Sequence, residues 1–188
     1  MPTATKVSTG KPGVSGAVYR APTGTTLPTT ADETLNSAFV ELGFVSEDGV
    51  TNTNSPESDN IKAWGGQVVM VVQTEKADEW KLTFIESLNP NVLKMVYGDS
   101  HVTEGVGSSA GIISVEATAD VLAEKAYVID MVMRGGALKR VVIPTGAIKE
   151  VGDIVYKDDE AVGYEITITA MPNSAGKTHF EYIKLPTT

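Results

Sequence analysis

The sequence contains no cysteine. That absence removes disulfide staples, thiolate nucleophiles and cysteine-ligated metals together, and it agrees with synthesis in a reducing cytoplasm. Histidine is nearly as scarce, with only His101 and His179. Neither has a partner at ligand spacing, so both read as surface or sheet residues. Long apolar runs are missing too. The best, Val68 to Val72, falls far short of the roughly 20 residues of a membrane-spanning helix. Met1-Pro2-Thr3-Ala4-Thr5-Lys6 lacks the apolar stretch of a signal peptide. No membrane anchor and no signal-directed export are therefore expected. Basic excess is absent as well: 15 Lys and Arg stand against 24 Asp and Glu, for a net charge of −9. Gripping phosphates needs a basic face, so tight DNA or RNA binding is not expected.

Motifs for chemistry fail on their geometry. Gly176-Lys177-Thr178 looks like the end of a phosphate-binding loop, but Met171 stands where the loop needs its earlier glycine. An alternating strand follows it, where the motif needs a helix. Asp158-Asp159-Glu160 puts three carboxylates side by side in a turn, where neighbouring side chains diverge and no calcium-loop spacing exists. No catalytic residue, cofactor site or metal site is expected, and the protein is not read as an enzyme.

What the sequence has is strand signals. At 188 residues it has the length of one domain with a real core. The first 36 residues, rich in Thr, Gly, Pro and Ser, read as a flexible N-terminal arm. That arm has one possible strand over Val14 to Ala21, including Val18 and Tyr19. A strand-forming arm without its own core suits addition to another chain's sheet edge. Residues 37–188 read as a β-sandwich domain. Strands are predicted at Phe39 to Val45, Ile61 to Trp64, Gln67 to Thr74, Trp80 to Phe84, Ile112 to Ala117, Tyr127 to Met133, Leu138 to Ile143, Ile148 to Tyr156, Val162 to Ala170 and Thr178 to Lys184.

Between the first two strands lies a polar stretch at about 46–60, containing Asp48, Asn54 and Pro56; loops this long are usually functional or disordered. Val68 to Val72 is apolar on both faces, which calls for cover from its own domain or from a neighbouring subunit. Trp64 beside Gly65-Gly66 reads equally as a core anchor or an interface anchor. Asn89 as cap and Pro90 at the first position start the one predicted helix, over Asn89 to Tyr97, which Gly98 stops. Thr118 to Lys125 could make a helical turn. Many short strands with one flanking helix describe a β-sandwich or partly closed barrel.

Several segments, taken in order, carry a resemblance. They are Gly16-Ala17-Val18-Tyr19-Arg20-Ala21-Pro22, Leu42-Gly43-Phe44-Val45-Ser46-Glu47-Asp48-Gly49, Asn54-Ser55-Pro56-Glu57-Ser58 with Lys62-Ala63-Trp64-Gly65-Gly66, and Gly152-Asp153-Ile154-Val155-Tyr156 running on to Ile168. The set resembles the major tail tube proteins of siphoviruses, the bacteriophages with long non-contractile tails, over about Gly13 to Lys184. The resemblance implies a tail-tube fold whose inner strands join into the β-barrel of a hexameric ring. It also implies ring stacking into a conduit for genome ejection, and a place in the virion tail. The implied partners are further copies of the chain, a tape-measure protein, and the tail tip or baseplate and tail terminator proteins. DNA passes through without tight binding. Under this resemblance Val18, Tyr19, Asp48, Asn54, Pro56 and Trp64 are assembly-interface candidates, with the arm and the 46–60 loop mobile in the free subunit. An acidic wall suits sliding DNA, and Glu165 is the candidate for the lumen. The rival readings are a head–tail connector, a capsid decoration protein or a carbohydrate-binding module.

Overall fold

The computed structural model describes residues 6–13 and 17–186. Val14 to Gly16, the start of the alternation predicted for the arm, lie outside them. The strands in chain order are β1 (Gly10–Pro12), β2 (Val18–Pro22), β3 (Val40–Glu41), β4 (Val45–Lys62), β5 (Val68–Phe84), β6 (Val102–Glu104), β7 (Ile113–Val115), β8 (Lys125–Met133), β9 (Leu138–Val151), β10 (Tyr164–Ala170) and β11 (Phe180–Lys184). The one α-helix among the described residues, α1, spans Pro90–Tyr97. The protein is mainly β, as its patterning predicts.

Nine strands share one antiparallel sheet, in the order β3-β2-β8-β9-β10-β5-β4, with β1 added to β8 and β11 added to β9. β6 and β7 form a separate pair. The sheet does not close on itself. β9 is the strand that joins its two halves: Leu138 to Val142 pair with β11, and Gly146 to Val151 pair with β10. Inward residues of β2 and β8 (Val18, Tyr127, Ile129) meet those of β5 and β10 (Trp80, Leu82, Phe84, Tyr164, Ile166, Ile168) in one buried cluster. This is the sandwich core.

Alternation explains why β8 and β9 are buried on both faces. Tyr127 and Ile129 enter the main core, while Ala126 and Val128 point the other way. A second cluster forms there with Ala21, Phe39 and Val142, covered by Leu27, Leu35, Phe180 and Tyr182. Val18 to Pro22 is therefore an internal strand, and the segment after it covers the sheet. The predicted arm from Val18 onward is part of the sandwich. Its polar composition conceals this because only alternate residues have to be apolar.

Arg140 anchors that covering segment. Its guanidinium donates to both carboxylate oxygens of Asp130, at 2.6 and 2.8 Å, and to the carbonyls of Thr30 and Glu33. The helix forms as its capping signals require. The Asn89 side chain accepts from the Asn91 N–H, Pro90 occupies the first turn, and Val92, Leu93, Met95 and Val96 are buried against the core. Thr118 to Glu124 is irregular rather than helical. Its exposed residues leave no apolar face to hold a turn in place.

Gly146 marks the tightest approach of the two halves. It pairs with Lys125 on one edge and Ala170 on the other. A Cβ there would fall 2.7 Å from the Ile168 side chain and 2.9 Å from the Tyr127 ring. Gly146→Ala is expected to cost about 1–3 kcal/mol by overpacking, read as a lowered urea midpoint at unchanged slope.

Candidate functional site

At 18 and 17 residues β4 and β5 are the longest strands, and they are why this molecule has a projecting element. They pair from Val50 opposite Leu82 out to Lys62 opposite Val68. Their inner ends belong to the sandwich: Leu82, Trp80 and Asp78 are buried. Beyond Asn54 and Asp78 the two strands leave the body, and every residue from 51 to 71 is exposed. The projecting part is roughly 30 Å long at about 3.3 Å per residue.

Local chemistry makes this hairpin. Val68, Val69, Val71 and Val72 are β-branched and favour extended backbone. Gly65 and Gly66, at φ 107° and 89°, supply the left-handed positions of the tip. The Ala63 N–H donates to the Gln67 carbonyl at 2.7 Å. Pro56 is tolerated because β4 is the edge strand of the sheet. The polar stretch at 46–60 is thus a strand and not a loop. Its residues do not alternate because the chain itself covers neither face.

The apolar strand of the hairpin is correspondingly bare. Val69, Met70 and Val71 are 60%, 58% and 61% exposed, and Trp64 at the tip is fully exposed. Ile61 faces Met70 across the ladder. At the opposite end of the same two strands, Phe44, Ile85 and Leu88 are also exposed. The Ile85 N–H donates to the Phe44 carbonyl, and Glu86 accepts from the Phe44 N–H. Two apolar surfaces therefore sit at the two ends of one ribbon. Lys62 stands beside the tip, and Glu41 and Glu86 stand beside the far end.

The hairpin is fastened at its root. Asp78, 2% exposed, closes the inward row of β5. Its carboxylate accepts from Asn52 Nδ2 at 2.9 Å and from Thr178 Oγ1 at 2.5 Å, and it meets His179 Nδ1 at 2.5 Å. Burial pushes its pKa up, but the bonds from Thr178, His179 and Asn52 outweigh this and hold the carboxyl below the usual range. The His179 ring packs edge-on against Trp80, 5.3 Å between centroids.

The outward face of β5 and β10 is polar: Glu79, Lys81 and Thr83 lie opposite Thr169, Thr167 and Glu165. Its lysines are held. Lys81 meets Glu165 at 2.9 Å and Lys149 meets Glu79 at 2.5 Å. The hydrogen bond to Glu165 raises the pKa of Lys81, and the one to Glu79 raises that of Lys149.

Reactive clusters do not accompany this geometry. Among the described residues no group of three or more His, Asp or Glu is placed to hold a metal ion. Gly107-Ser108-Ser109-Ala110-Gly111 has the letters of a nucleophile elbow. It forms an exposed 3₁₀ turn between two short strands, without the strand–turn–helix setting that aims such a serine. Gly176 sits in a turn whose Asn173 side chain accepts from the Ala175 and Lys177 N–H groups. Among the described residues no helix is long and apolar enough to cross a membrane.

A mainly β sandwich with a long bare hairpin points to assembly, and one comparison decides which assembly. The model of the phage tail tube protein family matches residues 9–187. The chain belongs to that family. No curated protein matches it. As a tail tube protein it is a structural component of the virion, and it assembles with its own copies into the tube alongside other tail components.

Within the tail tube protein the candidate residues separate clearly. Asn54, Pro56 and Trp64 lie on the exposed hairpin. Asp48 is exposed at the register shift between Val45 and Val50. Glu165 lies on the polar outward face, paired with Lys81. Val18 is wholly buried in the core and Tyr19 packs on the second cluster. Val18 is therefore corrected from an interface residue to a core residue: inward alternation on an internal strand buries it. Sequence reasoning passed over Asp78 and the Phe44, Ile85 and Leu88 surface. Asp78 gives no signal, because its partners are 26 and 101 residues away.

Proposed function

We propose that this tail tube protein is the major subunit of a long non-contractile tail, closing in sixes into rings that stack into a hollow conduit for DNA. The reading rests on the hairpin: a strand apolar on both faces and bare on both faces is covered only when other copies surround it. The inner sheet, running from the end of β9 through β10 and β5 to β4, has two free edges. One is the whole outer edge of β4, and the other is β9 beyond Gly146, where β8 has ended. Open edges of this length invite pairing. Joining β4 of one copy to β9 of the next removes both and closes a ring.

The outward polar face then lines the lumen. Its lysines are each engaged by a carboxylate, so the wall offers no free row of cations to phosphates, and Glu165 contributes to it. Screening confines the field to about 8 Å at physiological salt. The tip of each hairpin, with Lys62, meets the Phe44, Ile85 and Leu88 surface of a copy in the adjacent ring, with Glu41 and Glu86. A tape-measure protein fills the lumen before DNA does, and tip and terminator proteins cap the ends. The chain performs no catalysis and is made in the host cytoplasm. Cryo-electron microscopy of isolated tails is expected to show six subunits per ring with β4 paired to a neighbour. A different ring symmetry, or a β4 edge left in solvent, overturns the proposal.

A further inference from the structure

The root of the hairpin holds a carboxylate that neither the core nor the sheet requires. Asp78 ties three separate pieces of chain together: Asn52 on β4, its own strand β5, and Thr178 and His179 on the segment leading to β11. That segment carries the chain from β10, on one half of the sheet, to β11, which pairs with the other end of β9. The fastening thus lies where the two halves are bridged and where the hairpin departs. Outward of Asp78 the next residue on its face is Lys76, which is exposed. No apolar contact takes over from Asp78 in holding the direction of the arm.

We propose that Asp78 is a positioning residue: through Thr178 and His179 it fixes the angle at which the hairpin leaves the sandwich, and so presents the arm in the orientation assembly uses. The second half rests on the reading of the hairpin as an assembly element; the first does not. Packing alone holds a strand against the core but leaves a projecting ribbon free to swing about its last buried residue. A buried carboxylate with donors from both sides removes that freedom, because losing any donor leaves charge unpaired in a desolvated site.

Hydrogen exchange on the isolated subunit tests the fastening, and tube formation tests its use. Asp78→Asn replaces an acceptor oxygen with an amide donor facing Thr178 and His179 at nearly constant volume. Amides of Asn52 to Ser55 and Ala77 to Trp80 are expected to exchange about tenfold faster, while those of Tyr127 to Ile129 and Val141 to Ile143 keep their protection. His179→Ala, a milder change, is expected to show the same local pattern. His179→Asn, whose amide donates from nearly the same place as Nδ1, is expected to restore slow exchange. Uniform acceleration through β8 and β9, unchanged exchange at the root, or failure of His179→Asn to rescue each overturns the proposal. If the root loosens and tubes still form at the original concentration, the fastening stands and its use in assembly falls, while the reading of the hairpin as the assembly arm is decided separately by deleting it.

Discussion

Removing residues 56–76 and joining Ser55 to Ala77 through an Asn-Gly turn is expected to leave a folded subunit that makes no tubes. The deleted residues are almost all exposed, and none of them belongs to either buried cluster. Asn-Gly supplies the positive-φ positions of a two-residue hairpin turn. The thermal midpoint should therefore stay where it is in the full chain. Assembly should not survive. Covering Val68 to Val72 is worth on the order of 1 kcal/mol or more for each side chain, or about 5 kcal/mol per copy. At 1.4 kcal/mol per decade this raises the concentration needed for assembly by more than three decades. Sedimentation and electron microscopy check the outcome. Tubes forming at the original concentration would show that the arm is dispensable.

Arg140→Ala is expected to be the most destabilising single substitution described here, at about 3–5 kcal/mol in urea unfolding. Both partners of the ion pair lie in the sheet, and Arg140 is 5% exposed. Truncation leaves the Asp130 carboxylate with neither of its two guanidinium bonds. It also strips the carbonyls of Thr30 and Glu33 of their donor, so the covering segment loses its anchor over Phe39 and Val142. Arg140→Lys keeps the charge but not the planar fork, and should recover only part of the loss. A loss below about 1 kcal/mol for Arg140→Ala would place the pair among surface ion pairs.

The strands and helix legible in the sequence are those that obey alternation or capping rules. Tyr164, Ile166, Ile168 and Ala170 alternate because one face of β10 meets the core, and the Asn89-Pro90 start is a local signal. β8 was legible for its apolar content, although both of its faces are buried. The hairpin escapes such patterning for the opposite reason. Apart from Pro56, Thr51 to Asn60 is polar because this chain covers neither face of it, and no period appears where nothing is buried. The predicted breaks between Thr74 and Trp80, and between Ile143 and Ile148, vanish in β5 and β9. Long strands pass from one environment to another, and the pattern changes while the backbone does not. Trp64 and Pro56 are candidates by residue type and turn setting. Asp78 and Arg140 were missed because their roles depend on contacts far along the chain.

β4 and β5 form one ribbon running from the Phe44 and Ile85 surface to the Trp64 tip, roughly 50 Å along the 17 residues of β5. In mechanical terms it is a beam held in a socket near its middle, with a working surface at each end. Stiffness in a ladder of backbone hydrogen bonds resides along the strands, and slack enters where pairing slips. Here one slip, between Val45 and Val50, lies at the far end; those between Glu57 and Ser58 and between Ile61 and Lys62 lie on the tip side of the socket, and pairing from Val50 to Glu57 is unbroken. A push on the tip is therefore absorbed in the outer third of the beam. Bending of the assembled tail can be taken up there, with the sandwich and its polar wall left undistorted.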